Sequence, residues 1–229
     1  MSTRPPAASL RSHVQVPVSP RGRDDVTARF FTFDGLVDGR DHVALGFGGY
    51  AAQPGARMRQ PRAGIPLVRV HSECLTGDVF GSQRCDCGPQ LDEAVCELER
   101  HGGYLLYLRQ EGRGIGLTAK LDAYALQDRG LDTYEANVAL GYAEDQRDYT
   151  VAAQMLEALG VSRIDLLTNN PDKARQLRSL GVSVRRVIPT GVHLSVANAA
   201  YLAAKVNRTA HTISLPASVT MELGEGDAS

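Results

Sequence analysis

Short apolar runs alternate with amphipathic stretches along most of this chain. HVALGFGGY at 42–50 and PLVRVHSE at 66–73 are β-type runs, and the glycine- and proline-rich segment between them is typical of a loop. YLLYLR at 104–109 is nearly continuous in apolar residues, as expected for a buried strand. The pattern therefore predicts that strands begin the folded part of the chain.

Helical periodicity follows these first strands. In the stretch 89–102, Leu91, Ala94, Val95 and Leu98 fall on one face of a helix. Glycines that end helices and a proline that starts one delimit further elements. These are helix 117–129, helix 150–159, strand 164–168, helix 171–180, strand 182–188 and helix 195–208. The alternation predicts an α/β fold, a single domain with a mixed sheet flanked by helices.

The two chain ends differ in composition from the middle. Residues 1–25 are rich in proline and arginine without apolar periodicity, so we predict a flexible N-terminal arm. We assign residues 26–208 to one domain, because 229 residues with 43% hydrophobic content suffice for a single core. Residues 209–229 are predicted to form a C-terminal tail.

The charge balance and the hydropathy exclude two classes of partner. Lys and Arg total 25 against 26 Asp and Glu, so the chain lacks the basic excess of a nucleic-acid binder. No apolar run reaches the roughly 18 residues of a membrane helix, and the N-terminus lacks the apolar core of a secretion signal. We expect a cytoplasmic protein that binds neither nucleic acid nor membranes.

Three of the four cysteines are clustered in the sequence. Cys74, Cys85 and Cys87 give the spacing C-x10-C-x-C within CLTGDVFGSQRCDC. In a reducing compartment, clustered thiols are more often metal ligands or catalytic groups than disulfides. Zinc prefers such soft ligands and is usually four-coordinate. The spacing therefore predicts a zinc site.

The fourth zinc position decides between a catalytic and a structural site. An open position binds water and lowers its pKa toward about 7, whereas a fourth protein ligand closes the site. Cys96 is the remaining thiol, but it faces away from the apolar stripe of its predicted helix, which makes it a poor ligand. The open site is favoured; a four-cysteine structural site and three buried thiols without metal stay as alternatives.

Two polar loops that follow buried strands have anion-binding features. Glycine-rich EGRGIG at 111–116 lies between a strand and a helix, and Arg113 within it suits phosphate oxygens. TNNP at 168–171, followed by Lys173, likewise lies between a strand and a helix and carries a cation. Each loop also has a simpler interpretation, as a plain strand-to-helix turn or as an Asn cap with proline in the first turn.

Pattern alone does not single out two further stretches. Tyr124 shares a helical face with Leu117 and Leu121, which favours a core tyrosine. EDQRDY at 144–149 is typical of a solvated segment that caps the following helix.

Five stretches in fixed order resemble GTP cyclohydrolase II, the enzyme that opens riboflavin biosynthesis. They are RVHSECLTGDVFGSQRCDCGPQLDEA, YLRQEGRGIGL, AYALQDRGLDTYEAN, EDQRDYTVAAQML and LLTNNPDK. The likeness runs from about residue 41 to about residue 189 and includes the whole thiol triplet. Several long motifs in the right order are much more specific than any one of them.

The resemblance implies a homodimeric enzyme that uses Zn²⁺ and Mg²⁺ to convert GTP to 2,5-diamino-6-(5-phospho-ribosylamino)pyrimidin-4(3H)-one, formate and diphosphate. The zinc ligands that it implies are Cys74, Cys85 and Cys87. Its catalytic positions fall on Tyr124, Asp145 and Arg147. Its nucleotide site falls on Arg69, Val70, His71, Ser72, Glu73, Gln90, Glu111, Gly112, Arg113, Thr133, Thr168 and Lys173.

The resemblance assigns Asp145 as proton acceptor and Arg147 as nucleophile. An arginine with a pKa above about 12 is a poor nucleophile, so we expect Arg147 to stabilise charge at the α-phosphorus instead. A covalent guanylyl intermediate stays open as the alternative. Tyr124 suits proton donation during ring opening, and zinc-activated water suits attack on C8 of guanine.

Three departures from the family pattern bear on the product. Asp122 stands where relatives generally carry a basic residue, Ala119 replaces a common Asn, and Ala204 belongs to YLAAKVNRTAH, where a Thr-Lys pair is usual. Two alternatives therefore stay open: a paralogue that stops at the ring-opened formamidopyrimidine, and a non-catalytic zinc-stabilised nucleotide-binding module.

Overall fold

The computed structural model of this chain describes residues 7–20, 25–51, 64–143, 146–193 and 198. Their elements, in chain order, are β1 (Ser9–Val18), β2 (Val26–Asp34), β3 (Val43–Phe47), β4 (Leu67–Ser72), α1 (Leu75–Asp78), α2 (Cys87–His101), β5 (Gly103–Leu108), α3 (Leu117–Gln127), α4 (Thr133–Ala139), α5 (Thr150–Ala158), β6 (Arg163–Leu167), α6 (Pro171–Ser179) and β7 (Ser183–Ile188). None of the helices in this part of the chain combines the length and the apolar character needed to cross a bilayer.

The strands form one mixed sheet in the order β1-β2-β3-β5-β4-β6-β7. The pairings β1–β2, β2–β3 and β3–β5 are antiparallel, whereas β5–β4, β4–β6 and β6–β7 are parallel. Helices occupy the connections between the parallel strands, because such a connection has to return across the face of the sheet. This architecture confirms the predicted α/β fold with a mixed sheet flanked by helices.

Apolar layers cover both faces of the sheet, because side chains alternate along its central strands. In β4, Val68 and Val70 pack in a core layer that includes Met155 of α5. Leu67, one residue earlier, packs in the opposite layer with Leu98 of α2. The alternation therefore places Arg69 and His71 on the α2 side.

Polar residues follow three neighbouring parallel strands at one edge of the sheet. Glu73 comes directly after β4, Gln110 and Glu111 come just after β5, and Thr168 follows β6. Ligand sites in α/β sheets lie outside the carboxyl ends of the strands. The topology thus brings motifs that are far apart in sequence to a common edge.

The predicted flexible arm over residues 1–25 is wrong for residues 9–18, which form β1. This strand pairs with β2 in antiparallel register from Ser9 opposite Asp34 to Val18 opposite Val26. Most of its side chains are exposed, so backbone pairing holds it in place and leaves no apolar periodicity in the sequence. Leu10 and Val18 nevertheless pack against the two core layers, so β1 extends the domain below residue 26.

The predicted elements between residues 42 and 188 are confirmed to within a few residues. Helix α6 begins as predicted: Pro171 is in its first turn, and Asn170 Oδ1 accepts from the Asp172 backbone N–H at 2.9 Å. The pattern does not predict β2, in which adjacent phenylalanines interrupt the alternation, or the short helix α4. The predicted helix 195–208, apart from Asn198, and the tail 209–229 lie outside the described residues.

Asp165 is a buried carboxylate on β6 that pairs with two arginines of β7. Arg185 donates through Nε at 2.8 Å and through Nη2, and Arg186 Nη2 donates at 2.6 Å. Hydrogen bonds from Arg185 lower the pKa of Asp165 to about 2, against the effect of burial and with help from Arg186. Because the unfolded value is roughly 3.9, this carboxylate stabilises the fold above that pH and loses its contribution as the pH falls toward 2.

We expect Asp165→Asn to lower the free energy of unfolding at pH 7, and the difference from the unsubstituted protein to shrink on acidification below about pH 4. Urea unfolding at neutral pH and near pH 3 measures both differences. Leu166→Ala is the matched control, because it removes a fully buried neighbour that does not titrate and costs about 2–5 kcal/mol at either pH. An Asp165→Asn effect of equal size at both pH values would contradict the ion-pair account.

Candidate active site

A deep cleft lies at the carboxyl edge of β4, β5 and β6. It encloses about 1080 Å³ of space, open solvent included. In sequence, its lining starts at Arg69 and ends at Thr190, so residues about 120 positions apart share one site.

Three thiols meet in this cleft. The Sγ atoms of Cys74, Cys85 and Cys87 all lie within 4.8 Å of one another, and those of Cys74 and Cys85 are 3.6 Å apart. Cys74 directly precedes α1 and Cys87 begins α2, so the chain between them folds back on itself to bring the sulfurs together. All three are free thiols rather than disulfides, and Cys96 of α2 does not belong to the group.

A buried carboxylate shapes the turn that carries Cys74. Asp78 Oδ2 accepts from the Cys74 backbone N–H at 3.0 Å and from Tyr107 OH at 2.8 Å, and His71 Nε2 lies 3.1 Å from Asp78 Oδ1. Burial lowers the pKa of His71, and burial together with the Asp78 charge raises the pKa of Tyr107. Both rings are therefore neutral near pH 7 and serve as donors that hold Asp78 in place.

Lys120 of α3 lies against the thiol cluster. Its Nζ donates to Cys74 Sγ at 3.1 Å, to Thr76 Oγ1 at 2.9 Å and to Glu111 Oε1 at 2.9 Å. Burial by itself would lower the pKa of Lys120, but the Cys74 charge and the Glu111 hydrogen bond outweigh it and raise the pKa. Hydrogen bonds from the other two thiols lower the pKa of Cys74.

The Glu111 carboxylate joins three elements around the cluster. Its Oε2 accepts from the Leu75 backbone N–H of α1 at 2.7 Å, and its Oε1 accepts from the Gly112 N–H at 2.9 Å as well as from Lys120. Glu111 lines the cleft, as the resemblance implies, but protein donors already engage both of its oxygens. Its role within the described residues is to position α1 and Lys120.

Two buried cations, Arg69 on β4 and Lys173 on α6, line the cleft. Arg69 Nη2 donates to Gln90 Oε1 at 2.8 Å, and Lys173 Nζ donates to the Val70 carbonyl at 2.7 Å. Burial lowers the pKa of Arg69, and the charge of Asp86 partly compensates. Guanidinium and ammonium groups bind phosphate and carboxylate oxygens, so this part of the cleft suits an anionic ligand.

The glycine-rich turn after β5 holds the segment that carries Arg147. Arg113 has a positive φ of 61°, a conformation that few non-glycine residues adopt, and its carbonyl accepts from the Gln146 N–H at 3.1 Å. Gln110 Nε2 donates to the Asp148 carbonyl at 2.6 Å. These contacts fix the backbone on either side of Arg147, and both arginines line the cleft.

Tyr124 faces the cleft, not the apolar core. The Arg84 guanidinium carbon lies 4.4 Å from its ring centroid and Lys120 Nζ lies 5.7 Å from it. Burial raises the pKa of the Tyr124 phenol, and the Lys120 cation opposes the shift. The phenol is thus protonated at neutral pH, and the interpretation as a core tyrosine is wrong.

Most residues that the sequence places in the site do meet here. Those that line the cleft are Arg69, His71, Ser72, Glu73, Cys74, Cys85, Cys87, Gln90, Glu111, Gly112, Arg113, Tyr124, Arg147, Thr168 and Lys173. Val70 differs, because strand alternation turns its side chain into the core and leaves only its carbonyl to hold Lys173. Asp145 and the side chain of Thr133 lie outside the described residues.

Several residues that build the site do not stand out in the sequence. Lys120 precedes Tyr124 by four positions, so a search for polar residues on the helical face of Tyr124 would have found it. Gln110 directly precedes the glycine-rich loop, which was the signal available for it. Asn137 also lines the cleft, but the short helix α4 that carries it has no periodic signal.

Comparison with known proteins agrees with the motifs and with this geometry. A family model described as GTP cyclohydrolase II matches residues 18–189. The GTP cyclohydrolase-2 of Vibrio cholerae serotype O1 is 47% identical over 208 residues, which cover 91% of this chain and 100% of that protein. The GTP cyclohydrolase-2 of Vibrio vulnificus is 48% identical over 204 residues, covering 89% of this chain and 98% of the relative.

A longer relative matches over part of its length. The riboflavin biosynthesis protein RibBA of Bacillus subtilis is 47% identical over 190 residues, which are 82% of this chain and 45% of that protein. The family model covers strands β2 to β7, the thiol cluster and every residue of the cleft lining except Thr190. This chain therefore belongs to the GTP cyclohydrolase II family.

Proposed function

We propose that this chain is a GTP cyclohydrolase II that hydrolyses GTP to 2,5-diamino-6-(5-phospho-ribosylamino)pyrimidin-4(3H)-one, formate and diphosphate, the first step of riboflavin biosynthesis. The observation that carries the proposal is a single cleft in which a three-thiol cluster lies beside buried cations. Thiols suit a soft metal, and buried cations suit a triphosphate. Family membership supports the same substrate.

Zinc fits the thiol cluster. Tetrahedral zinc with sulfur at about 2.3 Å places its sulfurs about 3.8 Å apart. The Cys74 and Cys85 sulfurs are 3.6 Å apart, and Cys87 lies within the same 4.8 Å group. Among the described residues this group has three members and Cys96 is not one of them, so the fourth position is left to a non-protein ligand. When bound, zinc supplies a Lewis acid that polarises the substrate and activates water near neutral pH.

Gly77 gives the cluster the room that a metal needs. A Cβ atom at position 77 would lie 2.9 Å from Cys85 Sγ and 3.1 Å from Cys74 Sγ. Separations this short would force a sulfur to move, so only glycine lets the α1 turn pass this close to the thiols. The close approach supports a cluster built to hold its sulfurs at fixed positions.

The cation-lined part of the cleft suits the triphosphate of GTP. Arg69 and Lys173 are buried there, and the planar guanidinium of Arg113 can bind phosphate oxygens in a bidentate way. Among the described residues, the thiols are the one group of three or more side chains able to hold a metal ion. We therefore expect Mg²⁺ to arrive on the phosphate oxygens, which are the hard ligands it prefers.

Tyr124 and Arg147 serve different parts of the reaction. The neutral Tyr124 phenol is a proton donor for a purine nitrogen as the ring opens. Arg147 is a permanent cation, so it stabilises charge that develops at the α-phosphorus during departure of diphosphate rather than attacking that atom. Asp145, two positions before Arg147 in sequence, is our proposed proton acceptor.

We also propose that the enzyme is a cytoplasmic homodimer that binds neither nucleic acid nor membranes. The net charge of -1 supports the first exclusion, because phosphate backbones select for basic proteins. Thiols that remain free in a close cluster suit a reducing compartment.

Purified protein supplied with zinc and magnesium should release formate from GTP with loss of the guanine absorbance, and Cys85→Ser should lose both zinc and this activity. Formate release, absorbance and bound metal are the measurements. Cys96→Ser is the matched control, since this thiol is outside the cluster and its variant should keep metal and activity. Intact GTP after incubation with the zinc-loaded protein would sink the proposed function.

Gly77→Ala should weaken zinc retention roughly tenfold or more, because the new methyl group displaces at least one sulfur. Competition with a chromophoric chelator measures the change, and circular dichroism verifies the fold. Unchanged zinc retention in a folded variant would show that the cluster tolerates larger shifts than its geometry indicates.

Arg147→Ala should slow diphosphate release roughly 100-fold, because a charge that acts on the departing group is removed. Any residual activity should still require zinc. Diphosphate and formate are quantified separately in single-turnover reactions, with Arg129→Ala as the control, because Arg129 is exposed and outside the cleft lining. An equal rate for both arginine variants would remove Arg147 from the mechanism.

A further inference from the structure

We propose that Lys120 is a positioning residue that holds Cys74 in its ligand geometry and balances the charge of the metal cluster. The inference rests on the proposed function in one respect, namely that the three thiols bind zinc. It adds a role for a residue on α3, which carries no zinc ligand.

Hydrogen bonding commits the Lys120 ammonium to the cluster. An ammonium has three N–H donors, and Nζ lies within hydrogen-bond distance of three acceptors: Cys74 Sγ at 3.1 Å, Thr76 Oγ1 at 2.9 Å and Glu111 Oε1 at 2.9 Å. The Lys120 side chain is 11% exposed. An ammonium that donates all three N–H groups has no lone pair to offer a metal. Lys120 therefore supports a metal ligand and does not serve as one.

The charges around the cluster need this cation. Three thiolates exceed the charge of one Zn²⁺ by one unit, and the Glu111 carboxylate lies next to them. Cys74 and Cys85 are 6% and 5% exposed, so water screens these charges poorly. Without Lys120, the sulfur of Cys74 and the carboxylate of Glu111 would face each other as two buried anions, an arrangement that is strongly destabilising.

The same ammonium ties the cluster to the helix that carries Tyr124. Lys120 and Tyr124 are four residues apart on α3, and Lys120 Nζ lies 5.7 Å from the Tyr124 ring centroid. Thr76 belongs to α1, between Cys74 and Gly77, so Lys120 also bridges α1 to α3. One side chain thus fixes a zinc ligand relative to the proposed proton donor.

The test compares zinc affinity and the metal spectrum among three lysine variants. Lys120→Met removes the charge and keeps the length, Lys120→Arg keeps the charge, and Lys173→Met removes a buried lysine of the same cleft whose Nζ donates to a backbone carbonyl. Chelator competition gives the zinc affinity, and Co²⁺ substitution gives the thiolate charge-transfer band. Neither measurement depends on turnover.

We expect Lys120→Met to lower zinc affinity roughly 10- to 100-fold and to shift the Co²⁺ charge-transfer band, because the Cys74 sulfur loses a charged donor. Lys120→Arg should restore most of the affinity. Lys173→Met should keep the affinity and the band of the unsubstituted protein. A folded Lys120→Met protein with unchanged affinity and unchanged band would overturn the proposal.

Thr76→Ala keeps the proposal testable if Lys120→Met does not fold. It removes one acceptor that orients the ammonium, so we expect a smaller loss of zinc affinity in the same direction, and no loss would count against the role of Lys120. Metal analysis of the unsubstituted protein separates the two proposals. Absence of bound zinc there would defeat the proposed function, whereas zinc that is held equally well without Lys120 would defeat this inference alone.

Discussion

Buried charges lie at the carboxyl edge of the sheet, and each needs a partner there. This requirement determines the arrangement of the site. Asp78 is balanced by neutral donors from a histidine, a tyrosine and a backbone amide. Lys120 is balanced by Cys74 and Glu111. Each of these contacts also fixes a loop, so the electrostatic compensation and the shape of the cleft are the same set of interactions.

The cleft combines metal-binding and phosphate-binding groups because different elements of the fold meet there. The α1 turn and the start of α2 bring sulfur atoms, which bind a soft metal. Strand β4, helix α6 and the turn after β5 bring guanidinium and ammonium groups, which bind phosphate. A nucleotide that spans both parts places its base near the metal ligands and its phosphates near the cations, as a reaction at a purine ring and at a phosphorus atom requires.

The sequence predicts the fold well where periodicity is strong and poorly where pairing alone holds the chain. The buried strand β5 and the amphipathic helix α2 were identified from their patterns. Strand β1 was not, because its side chains are mostly exposed and its backbone hydrogen bonds to β2 leave no trace in composition. The mistake shows that an exposed edge strand can resemble a solvated arm.

The site shows the same division. Thiol spacing predicts the cluster, because three cysteines within fourteen positions are unusual in a chain with four in all. Lys120 and Asp78 escaped notice because a charged residue in a helix is ordinarily solvated, and only the fold reveals that both are buried beside Cys74. Val70 shows the reverse: a motif position whose side chain turns away from the cleft and contributes through its backbone.

The described lining of the cleft starts at Arg69 and ends at Thr190, so the antiparallel strands β1, β2 and β3 contribute no side chain to it. These three strands support the sheet from one side, because β3 pairs with β5, and they do not contact the cleft. Substitutions in these three strands would therefore lower the free energy of unfolding before they change substrate binding.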